Sequence, residues 1–578
     1  MEKLLRIWCF GLLAISFVIY NGVTVRFIYP KIFFMQAWLG LGLIAFSLKV
    51  SKSRALQLGN ISLSVLALLA VGFSSLFYSP DLMLSLFGPF WRGTGLVFYL
   101  GCFLCFMLLK ELLGEDKTNF SLGVIYSGYA IASIVFLNFL FSLNINESIF
   151  YVIGNVNPLS FWLGMTILLS YLYRKKFSDK KWIIIGFGAI SLLIILLLGS
   201  RSAIGGLFFC ALLVGISKGR KILKITIGLF LLGAIGLIAQ YILSENSVLA
   251  DIIVRSKNFS RLGIWQGAFE SFLEKPITGY GFHGLIQGYW ENYTSYLSKG
   301  HAWNENAHSI VLNIAGELGL LGLIPFFALI YFVVKRVRTF EDQIGWWAIL
   351  IYITLYCLTQ PFFVDTVFLL LFFFLLFGEE KKLVINSKNM AYRIGKVLIG
   401  IIFLFITFEQ FSQVNLLNKT RKMIGAHGNY RKVWKTLEAK PPFIDHVGAF
   451  FEINTLLINS FAHVKPGETE MDKEIRARSR KFIKESLESL MEKYSHRPRL
   501  LRTYALTLIQ ENELSKAEEV IDRILSRSDQ VTEMYYYKAV IYAKQRKNKE
   551  AKTMLLKVKS LNPQYIGIDA QLEKLKNY

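Results

Sequence analysis

Four residues in this chain pair a chemistry-bearing side chain with a telling position: Arg92 in FGPFWRGTGL, Arg201 in LLLGSRSAIGG, Arg261 in SRLGIWQGAFESFLEKP and His308 in NENAHSIVLNIAGELGLLGLIPFF. Arg92 and Arg201 are flanked by Gly or Ser beside predicted helix N-termini. Free backbone N–H groups and a guanidinium together suit a phosphate or pyrophosphate. Arg261 falls in the first turn of a predicted helix, where a cation opposes the dipole and a purely stabilising residue would more often be acidic. His308 opens a long apolar helix. A helix N-terminus disfavours the imidazolium, so a histidine there tends to stay neutral and can take a proton from a hydroxyl nucleophile. Structural readings compete with each of these. The arginines could snorkel to a membrane interface or pair with a carboxylate, Arg261 with Glu305 for instance, and His308 could cap its helix. Position alone leaves both sets open.

The elements that must hold these residues are membrane helices. The chain has 578 residues, 54% of them hydrophobic, with 48 Phe and a mean hydropathy of +0.45. Apolar runs near the ~20 residues needed to cross a bilayer recur through the first 413 residues. They predict an all-α polytopic bundle over 1–413 with about thirteen spans, near 7–25, 33–49, 60–77, 93–110, 121–142, 158–173, 182–199, 203–217, 223–243, 308–334, 344–358, 362–378 and 394–413. Residues 1–24 resemble a signal peptide without a small-residue cleavage site, so an uncleaved first helix is expected.

The net charge of +24 would suggest nucleic acid in a soluble protein, but no nucleic-acid motif is present and the cations sit in short loops between apolar runs. With the N-terminus in the cytoplasm, the inner segments hold 24 Lys and Arg, and the short outer loops hold only Arg26, Lys31, Arg92 and Arg201. That bias orients the bundle and makes 244–307 a large external loop. An odd number of spans then delivers 414–578 to the outside. The five cysteines lie in or beside apolar runs and form no disulfide framework. His301 and His308 are seven apart, yet no HExxH, paired Asp or Cys cluster supports a metal, and none is expected.

Within the external loop, SRLGIWQGAFESFLEKP (260–276) places apolar residues at 262, 265, 269 and 272, the spacing of one buried helical face. Ser260 can cap its start, and Pro276 ends it before the turn ITGYGFHG. The aromatic QGYWENYTSYL (287–297) suits a membrane-surface segment or a wall on which sugars stack.

RLGIWQGAFESFLEKPITGYGFHGL followed by NAHSIVLNIAGELGLLGLI resembles the O-antigen ligase and polymerase superfamily of membrane glycosyltransferases. The loop-end motif of that family, His, then Asn, Ser or Gln, nine residues, Gly, two residues, then Gly, Thr or Tyr, is met by His308-Ser309 and Gly319-Leu320-Leu321-Gly322. WRGTGLVFYL and GSRSAIGG look like its upstream arginine segments. The resemblance covers about 80–378. It implies transfer of a glycan from a polyprenyl-diphosphate carrier to a glycan, lipid or protein acceptor at the outer face of a bacterial cytoplasmic membrane, without cofactor, metal or nucleotide sugar. Carried over, Arg92, Arg201 and Arg261 would hold the diphosphate, and His308 would activate the acceptor hydroxyl with Arg261 beside the reacting groups. Candidate acceptor or sugar contacts are Tyr280, His301, Trp303, Asn304 and Glu305. Many relatives have Arg before the motif His where this chain has NENA, and His301 offers a second imidazole. Ligation and polymerisation of repeat units both fit, and a transporter or flippase is the reading from another class.

The tail, 414–578, has the composition of a soluble helical domain. Ala505 and Ala539, Ala517 and Ala551, and Ile524 and Val558 each stand 34 residues apart, the tetratricopeptide period. An extracytoplasmic repeat domain able to bind a protein partner is expected.

Overall fold

The computed structural model describes residues 2–18, 28–48, 56–90, 92–113, 118–142, 155–221, 260–291, 306–360, 382–385, 389–424, 430–441, 443–451, 470–526, 529–563 and 567–575, with a few isolated positions between. Among these the chain is almost wholly helical, with a single two-stranded antiparallel ribbon of Leu56–Leu58 and Leu383–Ile385. Eight helices are long and apolar enough to cross a membrane, and the shorter apolar helices Val156–Leu172 and Gln343–Thr359 fall on two more predicted spans. The predicted spans at 223–243 and 362–378 lie largely outside the described residues, as does the second half of the first. The chain is a multi-pass membrane protein. It divides into two compact units, Met1–Ala70 with Arg92–Lys257 and Ile324–Ser412, and Val71–Trp91 with Asn258–Leu323 and Gln413–Tyr578. The second unit joins the tail to two segments that the sequence reading assigned to the bundle.

The first unit is a bundle whose helices approach through small residues, as expected where lipid supplies no hydrophobic drive between helices. Gly40 and Gly400 face each other so closely that a Cβ on either would come within 2.8 Å of the other's carbonyl oxygen. Gly164 and Gly206 make room for the ring of Tyr352, which stacks on Phe161 and donates its hydroxyl to Ser160 O at 3.1 Å. Loops predicted on the inner side meet one another. Arg174 pairs with Asp342 at 2.7 Å, buried Lys396 pairs with buried Glu111 at 3.1 Å, and the β-ribbon joins residues near 56 to residues near 384. These loops therefore share one side of the bundle, as the charge count requires.

The second unit is organised on the external-loop segment. The helix Ser260–Glu274 forms where the sequence places it and ends before Pro276, but its buried face is not the predicted one. Gly263, Ile264, Gly267, Ala268 and Ser271 point inward, whereas Leu262 and Phe269 are exposed and Trp265 and Phe272 are half-buried. Small side chains win the interior because the neighbours come too near for large ones. A Cβ on Gly288 would lie 2.6 Å from Ser271 Oγ, and one on Gly316 would meet the Ala268 carbonyl at 3.5 Å. One apolar cluster continues from Ile264, Ala268, Leu285, Tyr289 and Ala307 to Leu501, Ala505, Leu508, Ala517 and Ile521 of the tail.

In the tail the helix pair Pro498–Gln510 and Leu514–Leu525 is followed by Thr532–Lys544 and Asn548–Leu561, each start 34 residues after its counterpart. Ala505, Ala539, Ala517, Ala551, Ile524 and Val558 are all buried. The turn residues Asn512 and Arg546, also 34 apart, both adopt left-handed backbone, with φ of 61° and 62°.

Candidate functional site

The site is built around a broken helix. Ile310–Val337 is helical on both sides of Gly319, which takes φ +59° and ψ −153° and interrupts the hydrogen-bond ladder. A break inside a membrane helix is tolerated only where protein satisfies the freed backbone groups, and here the turn after the loop helix does so. Tyr280 N–H and Gly281 N–H donate to Gly316 O and Glu317 O at 2.9 and 2.8 Å. Leu320 N–H and Leu321 N–H donate to Pro276 O and Ile277 O at 2.8 and 3.1 Å. The two backbones run so close that a Cβ on Gly319 would sit 2.4 Å from Ile277 O, and one on Gly279, at φ +65°, 2.4 Å from the Glu317 carbonyl carbon. Two glycines from distant stretches are thus required by one main-chain ladder.

His308 stands two residues before this helix with φ +49°, one of four non-glycine residues in left-handed backbone among those described. Its conformation is held by neighbours. Asn306 Oδ1 accepts from His308 N–H at 3.0 Å, Asn313 Oδ1 accepts from Ala307 N–H at 2.5 Å, and Ser309 O accepts from Asn313 N–H at 2.9 Å. Two asparagines thereby act on the turn from both sides, and the imidazole is half-buried. A second histidine, His283 in the ITGYGFHG turn, shares the left-handed conformation at φ +57°.

The turn is also tied to the segment before the fourth predicted span. Tyr78 Oη donates to Thr278 O at 3.0 Å, Phe282 N–H to Ser75 Oγ at 3.0 Å, and Ser85 Oγ to Phe282 O at 2.5 Å. Beside these ties a cavity of about 720 Å³ is lined by Tyr78, Pro80, Lys275, Thr278, Gly279, Tyr280, Gln287 and His496. The buried Tyr280 donates its hydroxyl to Glu274, and the Lys275 ammonium lies 3.8 Å from the centre of its ring. The wall is closed by a buried ion cluster. Asp81 accepts from Leu84 N–H at 2.9 Å, from Arg497 Nε and Nη2 at 2.8 and 2.5 Å, and shares a 3.3 Å contact with His496 Nε2. Arg497 also pairs with Asp445, whose other oxygen accepts from Phe90 N–H at 3.2 Å. Burial by itself would lift the Asp81 carboxyl. The Arg497 guanidinium, with the His496 and Leu84 hydrogen bonds, overrides it and holds the group well below the usual carboxylate range.

The expected site residues fall into three groups. His308, Tyr280 and the backbone of Arg261, in the first turn of the loop helix, belong to the second unit, and Tyr280 lines its cavity. Arg92 and Arg201 belong to the first: Arg92 is half-buried in a turn before the helix Leu96–Leu113, and Arg201 is the exposed first residue of Arg201–Lys218. His301, Trp303, Asn304 and Glu305 lie outside the described residues. No group of three or more His, Cys, Asp or Glu able to hold a metal occurs among the described residues. Sequence reasoning passed over Asp81, Asp445, His496 and Arg497. The only local signal was Pro80-Asp81 before an apolar run, a helix-cap pattern. The partners sit more than 350 residues away.

Residues 186–327 match the profile of a family described as O-antigen ligase. A protein of Rickettsia conorii provisionally named a polysaccharide ligase is 25% identical over 198 residues, which is 32% of this chain and 44% of that protein. The chain therefore spans less than half the length of that curated relative. The matched profile takes in Arg201, Arg261, Tyr280, His308 and the helix break at Gly319, and both similarities are to proteins described as ligases acting on polysaccharide or O-antigen.

Proposed function

We propose that this protein is a ligase-type glycosyltransferase, moving a glycan from a polyprenyl-diphosphate carrier to an acceptor hydroxyl at the outer face of a bacterial cytoplasmic membrane. The observation that carries this reading is His308, held in left-handed backbone by Asn306 and Asn313 at the mouth of a broken helix inside the stretch that matches the ligase family. The acceptor oxygen attacks the anomeric carbon and its proton passes to His308. The bond from that carbon to the diphosphate oxygen breaks, and the diphosphate leaves with the electron pair. Attack opposite the leaving group inverts the centre. Arg92, Arg201 and Arg261 are assigned to the charge that develops on the diphosphate. The aromatic and cationic lining of the cavity at Tyr280 supports a sugar-bearing ligand there. The 34-residue recurrence of tail helices supports a tetratricopeptide-like module, on the external side, that binds a protein partner or presents an acceptor.

The test is mass spectrometry of the polyprenyl-linked glycan pool in cells lacking the protein, complemented by wild type, His308→Ala or His301→Ala. Long finished chains stranded on the carrier mark a ligase, and accumulated single repeat units mark a polymerase. A pool unchanged by deletion refutes both and returns a transporter to consideration. Loss of complementation by His301→Ala with retention by His308→Ala transfers the role of base to His301.

A further inference from the structure

The loop helix Ser260–Glu274 has three distinct faces, and only two of them are accounted for by the fold. The small face, Gly263, Gly267, Ala268 and Ser271, packs inward with Ile264. A polar stripe carries Gln266, Glu270 and Glu274, with Gln266 Nε2 donating to Glu270 Oε1 at 2.8 Å. The third face bears the large apolar side chains: Leu262 is 49% exposed, Phe269 50% and Leu273 58%, and Ile277 in the following turn is 62% exposed. At ~100° per residue, positions 262, 269 and 273 fall on one line along the helix. A helix turned to bulk water would bury its Leu and Phe and show its Gly and Ala. This one does the reverse.

What covers the third face follows from its continuation. Ile277 is joined through the main-chain ladder to Leu321, and Leu320 and Leu321, themselves exposed, open the apolar half of a helix long and apolar enough to span a membrane. Further along that helix Ile324 and Phe327 are exposed in the same way. Exposed apolar side chains thus recur from Leu262 to Ile277 and onward along a helix long and apolar enough to span a membrane.

We infer that the loop helix is an interfacial helix whose Leu262, Phe269, Leu273 and Ile277 side chains are immersed in the acyl chains of the bilayer. The polar stripe of Gln266, Glu270 and Glu274 faces the headgroups and water, the division characteristic of helices lying in a membrane surface. The segment is therefore part of the membrane domain and not of a free external loop. Arg261 begins the same helix, so this placement brings it to headgroup level. A lipid-carried substrate could then reach the ITGYGFHG turn from within the leaflet.

The test uses the full chain in lipid nanodiscs. The five native cysteines are buried, so introduced thiols can be labelled selectively. A bimane probe is attached at Phe269→Cys, at Leu273→Cys as an independent second site, and at Gln266→Cys. Quenching is compared between nitroxide-bearing phosphatidylcholine and aqueous iodide. The expected result is severalfold stronger lipid quenching at 269 and 273, and severalfold stronger iodide quenching at 266. Iodide quenching at 269 and 273 would overturn the inference in favour of a water-facing loop. Quenching by neither agent would overturn it in favour of a protein cover, such as a second copy of the chain. None of these readouts depends on glycan transfer.

Discussion

His308 pays for its position with a backbone conformation that few non-glycine residues adopt, although His, Asn and Asp tolerate it better than most. Such a conformation persists only where surrounding bonds enforce it, and Asn306 and Asn313 supply them. Replacing His308 with Asn keeps a residue suited to this backbone and removes the proton acceptor. His308→Asn should therefore fold as wild type but transfer glycan about 10²–10⁴-fold more slowly, as measured by turnover of the lipid-linked pool. A near-normal rate would reduce His308 to a helix cap. Gly319 presents the opposite case, a position where only the backbone matters. Gly319→Ala adds a Cβ 2.4 Å from Ile277 O at φ +59°. It should cost at least ~1–3 kcal/mol from backbone strain alone, read as a lowered unfolding midpoint in detergent. Gly205→Ala, where a Cβ would meet nothing within 4 Å, should leave that midpoint unchanged.

The ion cluster of Asp81, Arg497 and Asp445 ties a loop helix-cap to the start of the tail helix Pro498–Gln510. Removing one member of a buried pair leaves an uncompensated charge, so Arg497→Met should destabilise the second unit by about 3–5 kcal/mol. The sign of the pH effect follows from Asp81. Its folded-state carboxyl titrates below the unfolded value of ~3.9, so the unfolded chain takes up protons first as the medium is acidified. The stabilisation is complete above that value and is lost as pH falls through the depressed folded one. In Arg497→Met the main opposing charge is gone, so burial lifts the folded carboxyl back towards the unfolded value. The acid loss due to Asp81 should then shrink, and the deficit against wild type should narrow as pH falls. Unfolding midpoints of both proteins, measured from neutral pH downwards, check this. Curves that stay parallel would mean Arg497 does not set the Asp81 titration. The broken helix is bound to its neighbour in the same way: its freed carbonyls and N–H groups are satisfied by the Pro276–Gly281 turn, so neither element can be changed without the other.

For the whole molecule, the charge count and the meeting of Arg174 with Asp342 and of Lys396 with Glu111 agree that these loops share one side. The proposed topology puts that side in the cytoplasm and exports the tail. Lys549→Cys, on an exposed tail position, should accordingly react with a membrane-impermeant maleimide in cells whose outer barrier has been opened. Lys176→Cys, equally exposed in an inner loop, should react only after the inner membrane is lysed. The reverse pattern would invert the topology. Since the tail shares an apolar cluster with the loop helix through Ala505, Leu508, Ile264 and Ala268, removal of the tail should also unsettle the His308 region.

Much of this protein was legible from residues alone. Long apolar runs have few outcomes besides membrane helices, the 34-residue spacing of Ala505 and Ala539 recurs between the helix starts at 498 and 532, and Pro276 marked the end of the loop helix. These signals are local, because each depends on residues within one helix or one repeat. The sequence reading failed on the face of the loop helix. Hydrophobic periodicity assumes that large apolar residues seek the interior, and beside a bilayer the small ones do so instead. It could not reveal that Gly319 and Gly279 serve one ladder, or that Asp81 meets Arg497. Contacts between residues so far apart are chosen by how the helices pack, and packing leaves no periodic trace along the chain. The helices and the 34-residue recurrence in the tail were thus set within local stretches of sequence, whereas the broken helix, the cavity and the buried ion cluster were decided only by tertiary structure.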